Sequence, residues 1–200
     1  EVYYITPMYT RPIFNPDLEV DQTNYYWFEN GFSSKDISKI KTLTKTPKLE
    51  KATVINGAGK DTRNSDIKWL VPNNEYSWIY DTLMQYVQEA NSIWKFNLYS
   101  IIDDIQYTEY KGGGGHYDWH IDIGPGSIAH RKVSIIVQLS DPSEYKGGIL
   151  EINTGGGIKA IPQVKGSVVI FPSYLQHRVT PVTSGLRKSL VLWAGGEHYK

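Results

Sequence analysis

The pattern of apolar and polar positions changes character near Asn97. Before it, apolar residues recur at helical spacing. Ile79, Leu83, Tyr86, Val87, Ala90 and Trp94 fall on one face, which predicts a long helix from about Glu75 to Trp94. A shorter helix is predicted from a Ser33 or Ser34 cap through Leu43, with Ile37 and Ile40 facing inward. Residues 44–62 are polar and contain glycine, which suits a loop or an edge strand, and Asn64–Val71 reads as a strand. Residues 1–24 carry Pro7, Pro12 and Pro16 among aromatics and read as an extended arm, because proline fixes φ and removes an amide donor.

After Asn97 the texture is short apolar runs separated by glycine turns. Strands are expected near 101–110, 118–123, 131–140, 148–153, 167–171, 176–182 and 187–194. Turns fall at Gly112 to Gly115, Gly124 to Gly126, Gly147-Gly148, Gly155 to Gly157, Gly166 and Gly185. Several short strands following helices predict an α+β, mainly β fold, a double-stranded β-helix (jelly roll) braced by N-terminal helices. The expected organisation is one domain: an arm at 1–24, a helical support with a strand at 25–97, and a β core at 98–200.

Composition narrows the chemistry. The chain has 200 residues and a formal net charge of zero, so no electrostatic footprint for nucleic acid or an anionic membrane is evident. There is no cysteine, which excludes disulfides, thiolate metal sites and cysteine nucleophiles. No apolar run approaches the roughly 20 residues of a membrane-spanning helix. The chain opens at Glu1 rather than Met, as expected of a trimmed chain, and a soluble protein is expected, with the cytoplasm favoured.

The segment YKGGGGHYDWHID holds two overlapping His-x-Asp pairs, His116/Asp118 and His120/Asp122. Residues two apart on a strand point the same way, so either pair can grip one ion. Spacing does not choose between them, though alternation places Trp119, Ile121 and Ile123 on one face and His120 with Asp122 on the other. His177 supplies a third ligand. Two histidines and one carboxylate form the facial triad of non-haem Fe(II) oxygenases. A turn at Thr183 to Gly185 is expected to return the chain, placing His177 and Arg187 on paired strands of a hairpin. Arg187, Ser189, Val191 and Trp193 then share a face, and an arginine inside a barrel requires an anion. The GGGG run lacks the Lys-Ser/Thr ending of a phosphate-binding loop.

With these residues the chain resembles the Fe(II)/2-oxoglutarate-dependent dioxygenases, in the prolyl 4-hydroxylase-like branch, over roughly residues 100–195. The matching pattern runs Tyr110, Gly112 to Gly115, Tyr117, then His120 and Asp122, which favours that pair over His116/Asp118. It continues with GGILEI at 147–152, GSVVIFPS before the distal histidine, HRVTPV at 177–182, and Arg187. The resemblance implies Fe(II) on His120, Asp122 and His177, with 2-oxoglutarate and O2 as co-substrates and ascorbate in support. It implies Arg187 on the far carboxylate of 2-oxoglutarate, with Tyr110 and Ser189 beside it. Gln138 stands where some members place a carboxylate-binding tyrosine. Tyr117, Arg131 and Trp193 match positions of the substrate groove, with Arg63 a weaker candidate. The implied reaction hydroxylates a prolyl residue of a peptide or protein, releasing succinate and CO2.

Other readings keep the iron site but act on a free amino acid, another side chain or a small metabolite. A cupin-like binding barrel without turnover has no need of all four of His120, Asp122, His177 and Arg187. A structural zinc site usually closes four ligands, often cysteines. His130 and His198 read as surface histidines, and loops at 124–129 and 57–63 as lids.

Overall fold

The computed structural model describes residues 24–45, 48–53, 62–101 and 103–198. The expected arm thus lies outside the described residues up to residue 23, as does most of the expected lid at 57–63. The elements are, in order, β1 (Tyr26–Phe28), α1 (Ser34–Leu43), β2 (Glu50–Lys51), β3 (Arg63–Asn64), β4 (Asp66–Leu70) and α2 (Ser77–Trp94). They continue with β5 (Leu98–Ile101), β6 (Ile105–Lys111), β7 (Gly115–His120), β8 (Arg131–Gln138) and β9 (Tyr145–Gly147). The last are β10 (Leu150–Asn153), β11 (Ile158–Ala160), β12 (Val168–Pro172) and β13 (His177–Gly196).

Both helices form as patterned. Ser33 caps α1 in a reciprocal box with Asp36, and Ile37 and Ile40 are its buried residues. The side-chain oxygen of Asn73 accepts from the amides of Glu75 and Tyr76 just ahead of α2. Ile79, Leu83, Val87 and Ala90 form the buried stripe of α2, while Tyr86 and Trp94 pack partly buried at its margin.

The main sheet runs β1-β12-β8-β13-β6-β4-β2, all neighbours antiparallel. The smaller sheet pairs β10 with β11, and the first half of β13 with β10, β7 and β9. β3 extends it beside β7. Strands of 25–97 therefore enter both sheets, and that segment shares its hydrogen bonding with the core at 98–200.

Strand periodicity sorts the side chains. In β8, Val133, Ile135 and Val137 join the core under the helices, while Ile136 joins a second cluster between the sheets. Ser134 and Gln138 share the face of Ile136. In β13, Leu190, Leu192 and Ala194 face the helices, leaving Arg187, Ser189, Val191 and Trp193 on the inner face as expected. Burial on both faces explains why β8 reads as a nearly continuous buried run.

Several local expectations are corrected. The strand expected at 101–110 is two strands, β5 and β6. β1 and β11 were not foreseen, being three residues each. The strand expected at 118–123 ends at His120, since its partner β13 begins at His177, directly opposite. Asp122 therefore lies beyond the strand, and Ile121 is 45% exposed rather than part of a buried apolar face.

The largest correction concerns the hairpin. His177 and Arg187 lie on one continuous strand. Val182, Ser184 and Gly185 keep ladder partners on β9, which hold the segment extended. A register shift there and a left-handed Gly185 (φ 79°) bend the strand from one sheet into the other without reversing it. A Cβ on Gly185 would lie 2.1 Å from the Glu144 carbonyl oxygen. Gly185→Ala should cost about 1–3 kcal/mol through the strained backbone, with the clash adding to it. Urea unfolding midpoints against the exposed Ser184→Ala control check this; equal midpoints would show that the bend does not need glycine.

Candidate metal centre and cleft

His120, Asp122 and His177 each offer a ligand atom within 4.8 Å of the others. The Nε2 of His120 lies 3.6 Å from one oxygen of Asp122, and the Nε2 of His177 lies 3.4 Å from the other. Each imidazole turns its Nδ1 to a carbonyl two residues earlier, His120 to Asp118 at 2.7 Å and His177 to Leu175 at 3.0 Å. A proton on Nδ1 leaves both Nε2 lone pairs aimed at one point, the arrangement of metal-binding histidines.

Asp122 is placed by three neighbours. Its amide donates to the Ser173 carbonyl at 3.0 Å, the Ser134 hydroxyl donates to its carboxylate at 2.7 Å, and Arg131 donates to its carbonyl at 3.4 Å. Burial pushes its carboxyl upward, but His177, His120 and the Ser134 hydrogen bond outweigh that and hold it below the usual carboxylate range. Burial pushes the His177 imidazole down to about 4, against the pull of Asp122, so its ring is neutral at physiological pH. The set is two imidazoles and one carboxylate, which suits a divalent transition ion with open positions opposite.

The rival pair is elsewhere. His116 turns its Nδ1 to the Gly114 carbonyl at 2.7 Å, and Asp118 is exposed, accepting from the Trp119 amide. His130 and His198 are exposed, with rings 4.2 Å apart.

Arg187 is a buried cation, 3% exposed. No acid pairs with it among the described residues; its Nη1 reaches the Ser189 hydroxyl at 3.5 Å, and its buried Nε has no partner. Tyr110, its cross-strand partner, lies with its ring 5.4 Å from the guanidinium. Gln138 donates to the Tyr145 hydroxyl at 2.7 Å. Burial raises the Tyr145 phenol despite the Arg187 charge beside it. Tyr145 and Ser134 were missed from sequence. Ser134 was signalled by its period with Gln138 in an otherwise apolar strand, whereas Tyr145 carried no signal. Gly148 (φ 60°) matters here too, since a Cβ on it would press 2.9 Å from the Arg187 side chain.

A cleft of about 610 Å³ opens over the triad. Tyr110, Tyr117, Arg131, Arg63 and Trp193 all line it, so the structure gathers the expected groove residues around the metal site. Trp69, Ile121 and Ile128 line it as well. A small cavity beside it is lined by Arg187 and Gln138, and the two share Ile136 and Leu150. The Tyr117 ring stacks on His120 at 3.5 Å, and burial pushes its phenol up to about 12, so it stays neutral. Arg131 lies 3.6 Å over the Trp193 ring and pairs with Asp103 at 2.8 Å. Of the expected lid at 124–129, Gly124, Pro125 and Ile128 line the cleft, and Gly126–Ile128 form a short 3-10 turn.

Comparison with known proteins adds the following. Residues 105–195 match the model of the 2OG-Fe(II) oxygenase superfamily. A PKHD-type hydroxylase of Azoarcus sp. (strain BH72) is 41% identical over 86 residues, 40% of this chain and 38% of that protein. One from Nitrosomonas europaea is 41% identical over 87 residues, again 40% and 38% of the two chains. The match thus spans about two fifths of those relatives' own length. In fold, a prolyl-4-hydroxylase of Pseudomonas putida superposes with a TM-score of 0.70 at 19% identity, over 87% of this chain and 93% of that one. A Trichoplax adhaerens prolyl hydroxylase, in complex with a hypoxia inducible factor peptide fragment, gives 0.71 at 15% identity, over 86% and 83%.

His120→Ala and His177→Ala should each abolish tight binding of one divalent transition ion, while His116→Ala retains it. Ser134→Ala should weaken it about 10–100-fold, the usual effect of losing a group that orients a ligand. Anaerobic metal titration checks all four, and a loss in His116→Ala as complete as in His120→Ala would reverse the assignment.

Proposed function

We propose that this chain, whose residues 105–195 match the 2OG-Fe(II) oxygenase superfamily model, is an Fe(II)- and 2-oxoglutarate-dependent hydroxylase of the prolyl 4-hydroxylase-like branch that acts on prolyl residues of a peptide or protein, a reading supported by its similarity to PKHD-type hydroxylases and by the shared fold of prolyl 4-hydroxylases. The observation that carries the reading is the pairing of an open His-Asp-His triad with a buried arginine that has no acid partner among the described residues.

The residues fit the cofactor and co-substrate. His120, Asp122 and His177 would hold Fe(II), and the orphaned Nε of Arg187 fits an anion, which the far carboxylate of 2-oxoglutarate would supply. When bound, Fe(II) with 2-oxoglutarate and O2 supplies the chemistry that puts one oxygen atom into a substrate C–H bond and the other into succinate, releasing CO2. The chain's own work is placement. Ser134 and the two backbone carbonyls fix the ligands before metal arrives. Tyr110, Ser189 and Tyr145 surround the guanidinium, and Ile136 and Leu150 line both cavities.

The prolyl assignment rests on the cleft. A proline inside a peptide has no amide N–H, so ring packing and the carbonyls of its neighbours must recognise it. Trp193 lines the cleft and carries the Arg131 guanidinium over its ring at 3.6 Å, so the two form one aromatic and cationic wall. Arg131 spends its Nε on Asp103 and one Nη1 bond on Asp122, and among the described residues its Nη2 takes no partner, so it can serve a substrate carbonyl.

Two outcomes are expected. Arg187→Ala should raise the KM for 2-oxoglutarate about 10–100-fold, as loss of a charged hydrogen bond does, and Arg187→Lys should recover only part because the fork is gone. An unchanged KM would remove Arg187 from the site. Proline peptides should gain one oxygen atom on the ring by mass spectrometry, and Trp193→Ala should impair this more than substrate-free 2-oxoglutarate consumption. Efficient hydroxylation of free amino acids or metabolites, with no peptide in a broad library modified, would defeat the peptide assignment.

A further inference from the structure

Charge in the cleft does not close, and Arg63 is the residue left over. Near the metal site, Asp122 and Arg187 are opposite single charges. Fe(II) and the 2-oxoglutarate dianion would add equal and opposite charge, so that part stays neutral whether filled or empty. Arg131 is neutralised by Asp103 at 2.8 Å. Arg63 lines the same cleft, and among the described residues it meets no carboxylate.

The way Arg63 is held leaves a specific edge open. Its Nε donates to the Ser65 hydroxyl and its Nη2 to the Gln106 side-chain oxygen, each at 2.8 Å. Nε and Nη2 share one edge of the guanidinium, so both bonds use that edge. The planar group is thus fixed from the residue between β3 and β4 and from β6, while the end presented by Nη1 and the second proton of Nη2 bonds to none of the described residues. Tyr117 fixes the plane further, with its ring 4.5 Å from the Arg63 carbon. His120 covers one face of Tyr117, parallel within 13° at 3.5 Å, so Arg63 occupies the other. The free fork is therefore rigid and one aromatic ring away from an iron ligand. Two parallel N–H donors in a plane match a carboxylate.

We propose that Arg63 is a specificity-determining residue that binds a carboxylate of the substrate, so that the preferred substrate is an acidic one. The carboxylate is either an Asp or Glu side chain beside the target proline or the α-carboxylate of a free amino acid or chain end. This rests on the hydroxylase reading, and it sharpens the choice between a peptide and a free amino acid.

The test measures binding anaerobically by calorimetry, with Fe(II) and 2-oxoglutarate present, so that no turnover is needed. Blocked proline peptides carrying Asp or Glu beside proline are compared with their Asn or Gln and Lys counterparts, and L-proline with L-prolinamide. The expected result is binding about tenfold tighter or more for the acidic member of one pair series; the series that shows it identifies the source of the carboxylate. Arg63→Gln should bring that ratio near one, and Arg63→Glu should turn it toward the Lys peptide. Ratios are taken within each variant, so an altered iron affinity cancels. Equal binding of acid and amide by the wild type, or a preference that survives Arg63→Gln, overturns the inference. Hydroxylation of neutral peptides without acidic preference overturns it while the hydroxylase reading stands. Failure of every proline compound to bind overturns both.

Discussion

A single buried carboxylate organises this molecule. Asp122 lies beyond the end of its strand, out of water, and an ionised group in such a place must be surrounded by donors or by a metal. At the carboxylate the structure sets a hydroxyl from β8 and, facing a common ligand position, two imidazoles from β7 and β13, while the Asp122 backbone is held separately, its amide donating to the turn after β12 and its carbonyl accepting from a guanidinium at the start of β8. Those contacts join both sheets at one point. They also account for Ser173 and Ser134, which are fully buried and bond each other at 3.0 Å. The metal site is therefore part of the internal framework of the barrel, and its ligands are placed by backbone carbonyls and serines before any ion is bound.

The same strands build the core and the chemistry, because a strand shows alternate residues to opposite faces. β8 sends Val133, Ile135 and Val137 to the helices and Ser134, Ile136 and Gln138 to the interior. β13 does likewise, and its bend at Gly185 lets one strand deliver His177 to the smaller sheet and Arg187 to the larger. A hairpin would have set these residues by the geometry of a turn. A single strand sets them by ladder register with β6, β7, β9 and β10, which fixes the two anchors relative to each other across the cleft.

Much of this was legible in the sequence, and the reasons differ by element. The α2 stripe and the α1 cap were legible because helical periodicity and capping are local. The inner face of Arg187, Ser189, Val191 and Trp193 was legible from alternation alone. The HxD register came from resemblance, since two overlapping pairs have the same local pattern. The hairpin expectation fails because Ser184-Gly185 reads as a turn locally, whereas pairing with β9 and hydrogen bonds from the amides of Gly112, Gly113 and Gly114, all distant in sequence, hold it extended. Tyr145 was invisible for a similar reason: its pairing with Gly185, which brings it beside Arg187, is long-range and no local spacing records it.

The contrast between the two halves of the site follows from how each is held. The iron ligands sit in strands or directly beside them and bond to backbone, so their geometry follows from the fold. The cleft is walled by side chains that hold one another, Arg131 on Trp193, Trp193 near Trp69, Arg63 on Tyr117, and its rim is open, with Trp69 40% and Ile121 45% exposed. Exchanging one of those side chains would change what fits without disturbing the strands beneath. The metal site is thus set by the barrel strands, while the cleft takes its shape from a few side chains on β3, β4, β7, β8 and β13 and the loop after His120. In that shell most charges are matched within the protein, which leaves recognition to aromatic faces, free edges of guanidinium groups and the carbonyls or acids a substrate brings.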